Sequence, residues 1–185
     1  MAFRLKPPRP YRLRSMRLAD IARVMAIEER IFPIPWKASA YEYEVAHNRL
    51  ARYKVLTVQQ GDQPEKVIGY AGLWKLSDEA HISTIGVDPE WQGKGLGELL
   101  LLDLLYVSFA IRTLLATLEV RKSNTVAQAL YEKYEFEVVG LRQRYYQGTE
   151  DAIIMTVERL DRDYWDTLRR KQAQLFNRLT EGTIT

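Results

Sequence analysis

Apolar and polar residues alternate through Tyr11-Arg-Leu-Arg-Ser-Met16, which predicts a first strand. Ile21, Val24 and Ile27 then recur at helical spacing, with Asp20 placed to cap the helix they imply. Pro33 and Pro35 stop that helix, so Phe32-Pro-Ile-Pro-Trp36 is expected to be a loop. A second helix is predicted over 39–47. Strands are predicted over 53–59, 67–74 and 81–87, separated by turns at Gly61-Asp62 and Ser77-Asp78 and ended by Asp88-Pro89. The segment 95–111 is apolar on nearly every side, as a well-buried helix must be. A strand over 114–120, a helix over 124–134 and strands over 136–141 and 152–157 follow. The order β-α-α-β-β-β-α-β-α-β-β predicts an α+β fold with a mostly antiparallel sheet, not a doubly wound one.

Beyond Asp161, Tyr164, Trp165, Leu168, Leu175, Phe176 and Leu179 recur at helical spacing among Arg and Lys. A terminal helix docked on the domain is the expected reading, with a partner-binding or membrane-surface helix as the alternative. The predicted division is an N-terminal extension over 1–10, one domain over 11–158 and an amphipathic C-terminal helix over 159–185.

At 185 residues, 46% hydrophobic and 28% charged, the chain fits one globular domain. Its net charge of +3 is too small to argue for direct nucleic-acid binding. There is no cysteine, hence no disulfide framework, thiolate nucleophile or cysteine-bound zinc. His47 and His81 are the only histidines, and a histidine metal cluster is not expected. The charged start lacks the apolar run of a signal peptide, and no segment has the apolar length of a membrane span. The expected location is the cytoplasm.

The sharpest local signal is Val87-Asp-Pro-Glu-Trp-Gln-Gly-Lys-Gly-Leu-Gly97, a strand end, a glycine-rich turn and the start of an apolar helix. Successive glycines let the backbone approach a ligand closely, and a helix N-terminus adds partial positive charge. Together they suit a pyrophosphate, with Lys94 adding to the field. The Walker pattern fails because Leu96 follows Gly95, and the G-x-G-x-x-G dinucleotide spacing is absent. A glycine-rich turn that only caps a helix remains the plain alternative.

Gln92-Gly-Lys-Gly-Leu-Gly97 resembles the Q/R-x-x-G-x-G/A signature of the GNAT N-acetyltransferase superfamily. The predicted element order is similar to the whole GNAT fold, a mixed sheet with helices on both faces. Further segments resemble the RimI-like branch, bacterial enzymes that acetylate the N-terminal alanine of a small-subunit ribosomal protein. They are Ile27-Glu-Glu-Arg-Ile-Phe-Pro-Ile-Pro-Trp36, Leu118-Glu-Val-Arg-Lys-Ser-Asn124, Ala129-Leu-Tyr-Glu132, and Arg144-Tyr-Tyr146 with Glu150-Asp-Ala-Ile-Ile-Met155. Two departures are visible: Tyr134-Glu135-Phe136 stands where the branch has Leu-Gly-Phe, and the loop after Tyr146 is short and lacks the usual proline.

The resemblance implies acetyl-CoA as cosubstrate and a protein N-terminus as acceptor, with no metal. It assigns the cofactor to Ile85, Gly86 and Val87, whose backbone would pair with the pantetheine arm, to Gln92, Gly93, Lys94, Gly95, Leu96, Gly97 and Glu98, and to Asn124. It makes Glu119 the proton acceptor and Tyr131 the donor to the departing sulfur. Pro35, Trp36, Tyr145 and Tyr146 would flank the peptide N-terminus, and Glu28 is a candidate to position its ammonium. On residues alone, Glu119 fits a surface glutamate equally well, Tyr131 a packed helical tyrosine and Asn124 a plain N-cap. Trp36 fits a hydrophobic plug, the two tyrosines a cross-strand pair, and Glu28 an ordinary exposed helical residue. Acylation of a small amine or a lysine, or a non-catalytic CoA-binding module, are the competing functions.

Overall fold

The computed structural model describes residues 4–146 and 148–182. Residues 1–3 of the expected N-terminal extension, Gln147 in the loop after Tyr146, and residues 183–185 at the C-terminus lie outside them. Among the described residues seven strands form one sheet: β1 (Tyr11–Ser15), β2 (Ala51–Val58), β3 (Lys66–Leu76), β4 (Glu79–Val87), β5 (Leu115–Arg121), β6 (Glu137–Tyr146) and β7 (Glu150–Val157). Their order is β1-β2-β3-β4-β5-β7-β6. Every neighbouring pair is antiparallel except β4 with β5. Five α-helices accompany the sheet: α1 (Ile21–Ile31), α2 (Ala38–Ala46), α3 (Leu96–Ala110), α4 (Thr125–Lys133) and α5 (Arg162–Glu181).

Each face of the sheet has its own core. On one, Ile21, Val24 and Ile27 of α1 and Tyr41 of α2 pack on Tyr53, Val55 and Tyr70. On the other, α3 lies against Leu56, Ile68, Leu73 and Ile82, and is covered in turn by Tyr164, Trp165, Leu168, Leu175 and Leu179 of α5. A helix apolar on all sides needs cover on all sides, and the sheet supplies only one. The C-terminal helix therefore docks as part of the core. Leu5, within the expected extension, is likewise buried there.

Two expectations change. The strand predicted to stop at Leu141 continues to Tyr146: Arg142 pairs with Ala152 and, past an irregularity where Arg144 has φ +52°, Tyr146 pairs with Glu150. Asp20 does not cap α1 with its side chain. A 3-10 turn over Leu18–Asp20 already makes the chain helical there, and the carboxylate takes the Arg17 N–H at 2.7 Å and the Arg14 guanidinium at 2.7 and 2.9 Å.

Candidate active site

The parallel pair is the origin of the site. β4 and β5 are in register only from Glu79 with Leu115 to Ile82 with Leu118. Beyond that point residues 84–87 stay paired with β3, and residues 119–121 with β7, but not with each other. Each strand thus turns a backbone edge toward the gap, where an extended ligand with amide groups can pair with it. A cleft of about 440 Å³ fills this gap. Its walls include Ile85, Glu119, Asn124, Tyr131, Tyr145 and Tyr146, with Glu28, Phe32, Ile34 and Trp36 from the α1 side.

At the end of β4, Asp88 is fully buried. It binds the guanidinium groups of Arg23 and Arg30, the latter at 2.9 Å, and caps the 3-10 turn Pro89–Trp91 through the Glu90 N–H at 3.1 Å. Gln92 folds back, its Nε2 donating to the Val87 carbonyl at 3.0 Å, so its side chain braces the turn. Gly93 and Gly95 have φ of +75° and +77°, a conformation glycine adopts without strain. Lys94 lies over the Trp91 ring at 4.8 Å.

Along this turn, the N–H groups of residues 93–98 make no hydrogen bond among the described residues, and Leu99 N–H to Gly95 O at 3.0 Å is the first bond of α3. Leu96 itself is buried in the core and offers only backbone. Six successive open amides at a helix N-terminus form a strong anion receptor. Glu98 departs from its expected place. Its carboxylate is buried and turned toward α4 and α5, taking Lys133 Nζ at 2.6 Å, Arg178 at 2.8 Å and the Tyr134 hydroxyl at 3.0 Å. Its N–H is what it has left for a ligand. Gly86 faces the Tyr70 ring, and a Cβ there would stand 2.5 Å from that ring, so its bareness serves packing.

Glu119 faces the cleft and is nearly enclosed. His81 Nε2 lies 3.1 Å from one carboxylate oxygen and Arg142 3.1 Å from the other. The His81 hydrogen bond, helped by the charge of Arg142, holds Glu119 below its usual range against the opposing effect of burial. Glu119 in turn raises His81. His81 also stacks on Trp74 at 5.6 Å, and Trp74 on Trp36 at 6.1 Å, a continuous aromatic wall.

Tyr131 is half-buried beside Phe136, and burial pushes its hydroxyl up to about 12, so it holds its proton at neutral pH. Its helix ends on Glu135 at φ +63°, with the Phe136 N–H closing on the Tyr131 carbonyl at 3.1 Å. This is the left-handed cap where the resembling branch has glycine, kept here at a strain of about 1–2 kcal/mol. Asn124 caps α4 through the Ala127 N–H at 3.1 Å and lines the cleft as well.

The substrate side is partly rearranged. Trp36 lines the cleft, but Pro35 turns to a shallow outer groove with Lys37 and Ser39, and Ile34 stands in the cleft wall. Tyr145 and Tyr146 meet edge-on at 5.1 Å, and Arg121 lies over the Tyr146 ring at 4.0 Å. Glu28 is the clearest correction. It is 2% exposed, not an open helical residue, because the hydroxyls of Tyr41 and Tyr70 (the latter at 2.7 Å) and the Trp36 N–H at 3.1 Å converge on its carboxylate. Sequence reasoning also missed His81, Arg142 and Trp74 as site residues. The spacing of Glu28 with Val24 on the buried face of α1 was a usable signal, whereas His81 and Arg142 had none. Among the described residues no cluster of His, Asp or Glu could hold a metal ion, and no helix is long and apolar enough to cross a membrane.

Residues 21–136 match the acetyltransferase (GNAT) family. The N-alpha-acetyltransferase RimI of Mycobacterium tuberculosis is 37% identical over 146 residues, covering 75% of this chain and 85% of that protein. The ribosomal protein bS18-alanine N-acetyltransferase of Escherichia coli K12 is 34% identical over 146 residues, covering 77% and 94%. The crystal structure of the ribosomal-protein-S18-alanine N-acetyltransferase from Escherichia coli aligns with a TM-score of 0.70 at 31% identity, over 80% of this chain and 92% of that one.

Proposed function

The chain belongs to the GNAT acetyltransferase family, and from that premise we propose that it moves the acetyl group of acetyl-CoA onto a protein N-terminus in the cytoplasm. The proposed acceptor is the N-terminal alanine of a small-subunit ribosomal protein, the substrate class in the name of its Escherichia coli relative. The observation that carries the reading is the cleft where β4 and β5 part, with open amides at one end and Glu119 and Tyr131 in its walls.

Residues 93–98 take the diphosphate, and the open edges at Ile85 and Val87 pair with the pantetheine amides. The aromatic wall of Trp36 with Tyr145 and Tyr146 admits a chain end, whose α-amino group has a pKa of about 7.7–8.0. A lysine, at about 10.4, gives up its proton less readily. Glu119 accepts the first ammonium proton through water and becomes the neutral acid, while His81 and Arg142 hold its oxygens in the cleft. The freed amine attacks the thioester carbonyl, so a C–N bond forms as the C–S bond breaks. Tyr131 gives its proton to the departing sulfur and recovers one, through water, from the acylated nitrogen.

Incubation with acetyl-CoA and a peptide that begins with alanine and carries an internal lysine tests this, with tandem mass spectrometry locating the acetyl group. The α-amino group is the expected site. Acetylation of the lysine, or of spermidine in preference to the peptide, would overturn the acceptor assignment.

A further inference from the structure

A glutamate in the first turn of a helix ordinarily folds back onto the open N–H groups there, where the helix dipole also favours its charge. Glu98 sits in that position, at the third residue of α3, among the open amides of residues 93–98. It would compete with any anionic ligand for the same donors. Instead three donors draw it away: Lys133 and Tyr134 at the end of α4, and Arg178 in the last turn of α5. The same helix backs the turn itself. A Cβ on Gly95 would stand 3.3 Å from Leu175 Cδ1 and 3.9 Å from Leu179 Cδ2, so α5 closes the side of the turn behind Gly95.

We infer that Arg178 is a positioning residue for cofactor binding: by holding Glu98 against α5 it keeps a competing carboxylate out of the diphosphate cradle. The inference rests on the reading that this turn receives CoA, and it makes the C-terminal helix part of the cofactor site without contact to the ligand. Lys133 alone neutralises Glu98 incompletely in position, since it reaches one carboxylate oxygen and Arg178 holds the other. Loss of Arg178 frees the second oxygen to swing toward the amides.

Calorimetry of CoA binding to the full chain, in a double-mutant cycle of Arg178→Gln and Glu98→Gln, tests the claim. Arg178→Gln is expected to weaken CoA binding about tenfold when Glu98 is present, equivalent to about 1.4 kcal/mol. In the Glu98→Gln background the same change is expected to have no further effect, because the neutral amide competes poorly for the cradle. Arg178→Lys is expected to restore most of the affinity. An unchanged Kd in Arg178→Gln, or an equal loss in both backgrounds as helix docking alone would give, overturns the inference. The readout needs no turnover, so a wild-type protein that binds CoA without transferring acetyl groups would overturn only the proposed reaction. A wild-type protein that fails to bind CoA would overturn both.

Discussion

Glu119→Gln is expected to lower kcat on an alanine-first peptide by about 10²–10⁴-fold, the range of a lost general base, with CoA affinity little changed. The amide keeps the shape and still meets His81 and Arg142, so packing is retained while proton acceptance is lost. Tyr131→Phe is expected to cut kcat by about tenfold or more, because the thiolate must then leave without the proton that the raised tyrosine retains for it. The pH profile adds a second signature. His81 is raised chiefly by its hydrogen bond with Glu119, so neutral imidazole accumulates above its ordinary 6.5 in the wild type. In Glu119→Gln the limb of residual activity that depends on neutral His81 should move to lower pH. The same pair contributes to stability: the raised His81 adds its share fully below 6.5 and loses it as pH rises through its folded value. Glu119, lowered in the fold, adds its share above 4.5 and loses it as pH falls through its folded value. The stability gap between wild type and Glu119→Gln is therefore widest between 4.5 and 6.5. Wild-type kcat in both variants would remove Glu119 and Tyr131 from the chemistry.

Gly97→Val is expected to weaken CoA binding by about tenfold or more, roughly 1.4 kcal/mol, while the protein melts close to wild type. Gly97 has no left-handed φ, and a Cβ there would meet nothing within 4 Å, so valine intrudes only where a ligand over the open amides would lie. Gly95→Val should differ. Its φ of +77° disfavours any β-branched residue, by about 1–3 kcal/mol, and its Cβ presses on Leu175. That variant loses stability together with affinity, by displacing the turn and not by crowding the diphosphate. Parallel calorimetry and thermal melts separate the two, and an unchanged Kd in Gly97→Val would argue that the diphosphate lies elsewhere.

The contrast between these glycines shows what a linear pattern conveys. Gly93, Gly95 and Gly97 announce a turn with open backbone, but not that Gly95 faces α5 while Gly97 faces open space. Element order was legible because each apolar period is local. The parting of β4 from β5 was not, since it depends on which residues of 79–82 meet 115–118, a pairing across a whole intervening helix that no local period encodes. Glu119 looked like either a surface or a cleft residue for the same reason. Its two partners are Arg142 on β6 and His81, 38 positions away on β4, and neither has a spacing that marks it. Glu98 read as a cofactor contact and Glu28 as an ordinary exposed helical residue because their partners, Arg178 and Lys133 for one and Tyr41 and Tyr70 for the other, lie on other elements. At Glu135 a side chain in place of the branch's glycine implied either a different helix cap or a costlier one, and the positive φ found there is the costlier.

The central claim is that the main-chain amides of residues 93–98 hold the CoA diphosphate and direct the thioester into the gap beside Glu119. Amide-resolved NMR of the labelled protein, titrated with CoA to saturation, reads those six groups one by one. Their proton resonances are expected to move downfield as they bind phosphate oxygens, together with those of the Ile85 and Val87 amides. Saturation with those six resonances unmoved, and the changes confined to other surfaces, would contradict it.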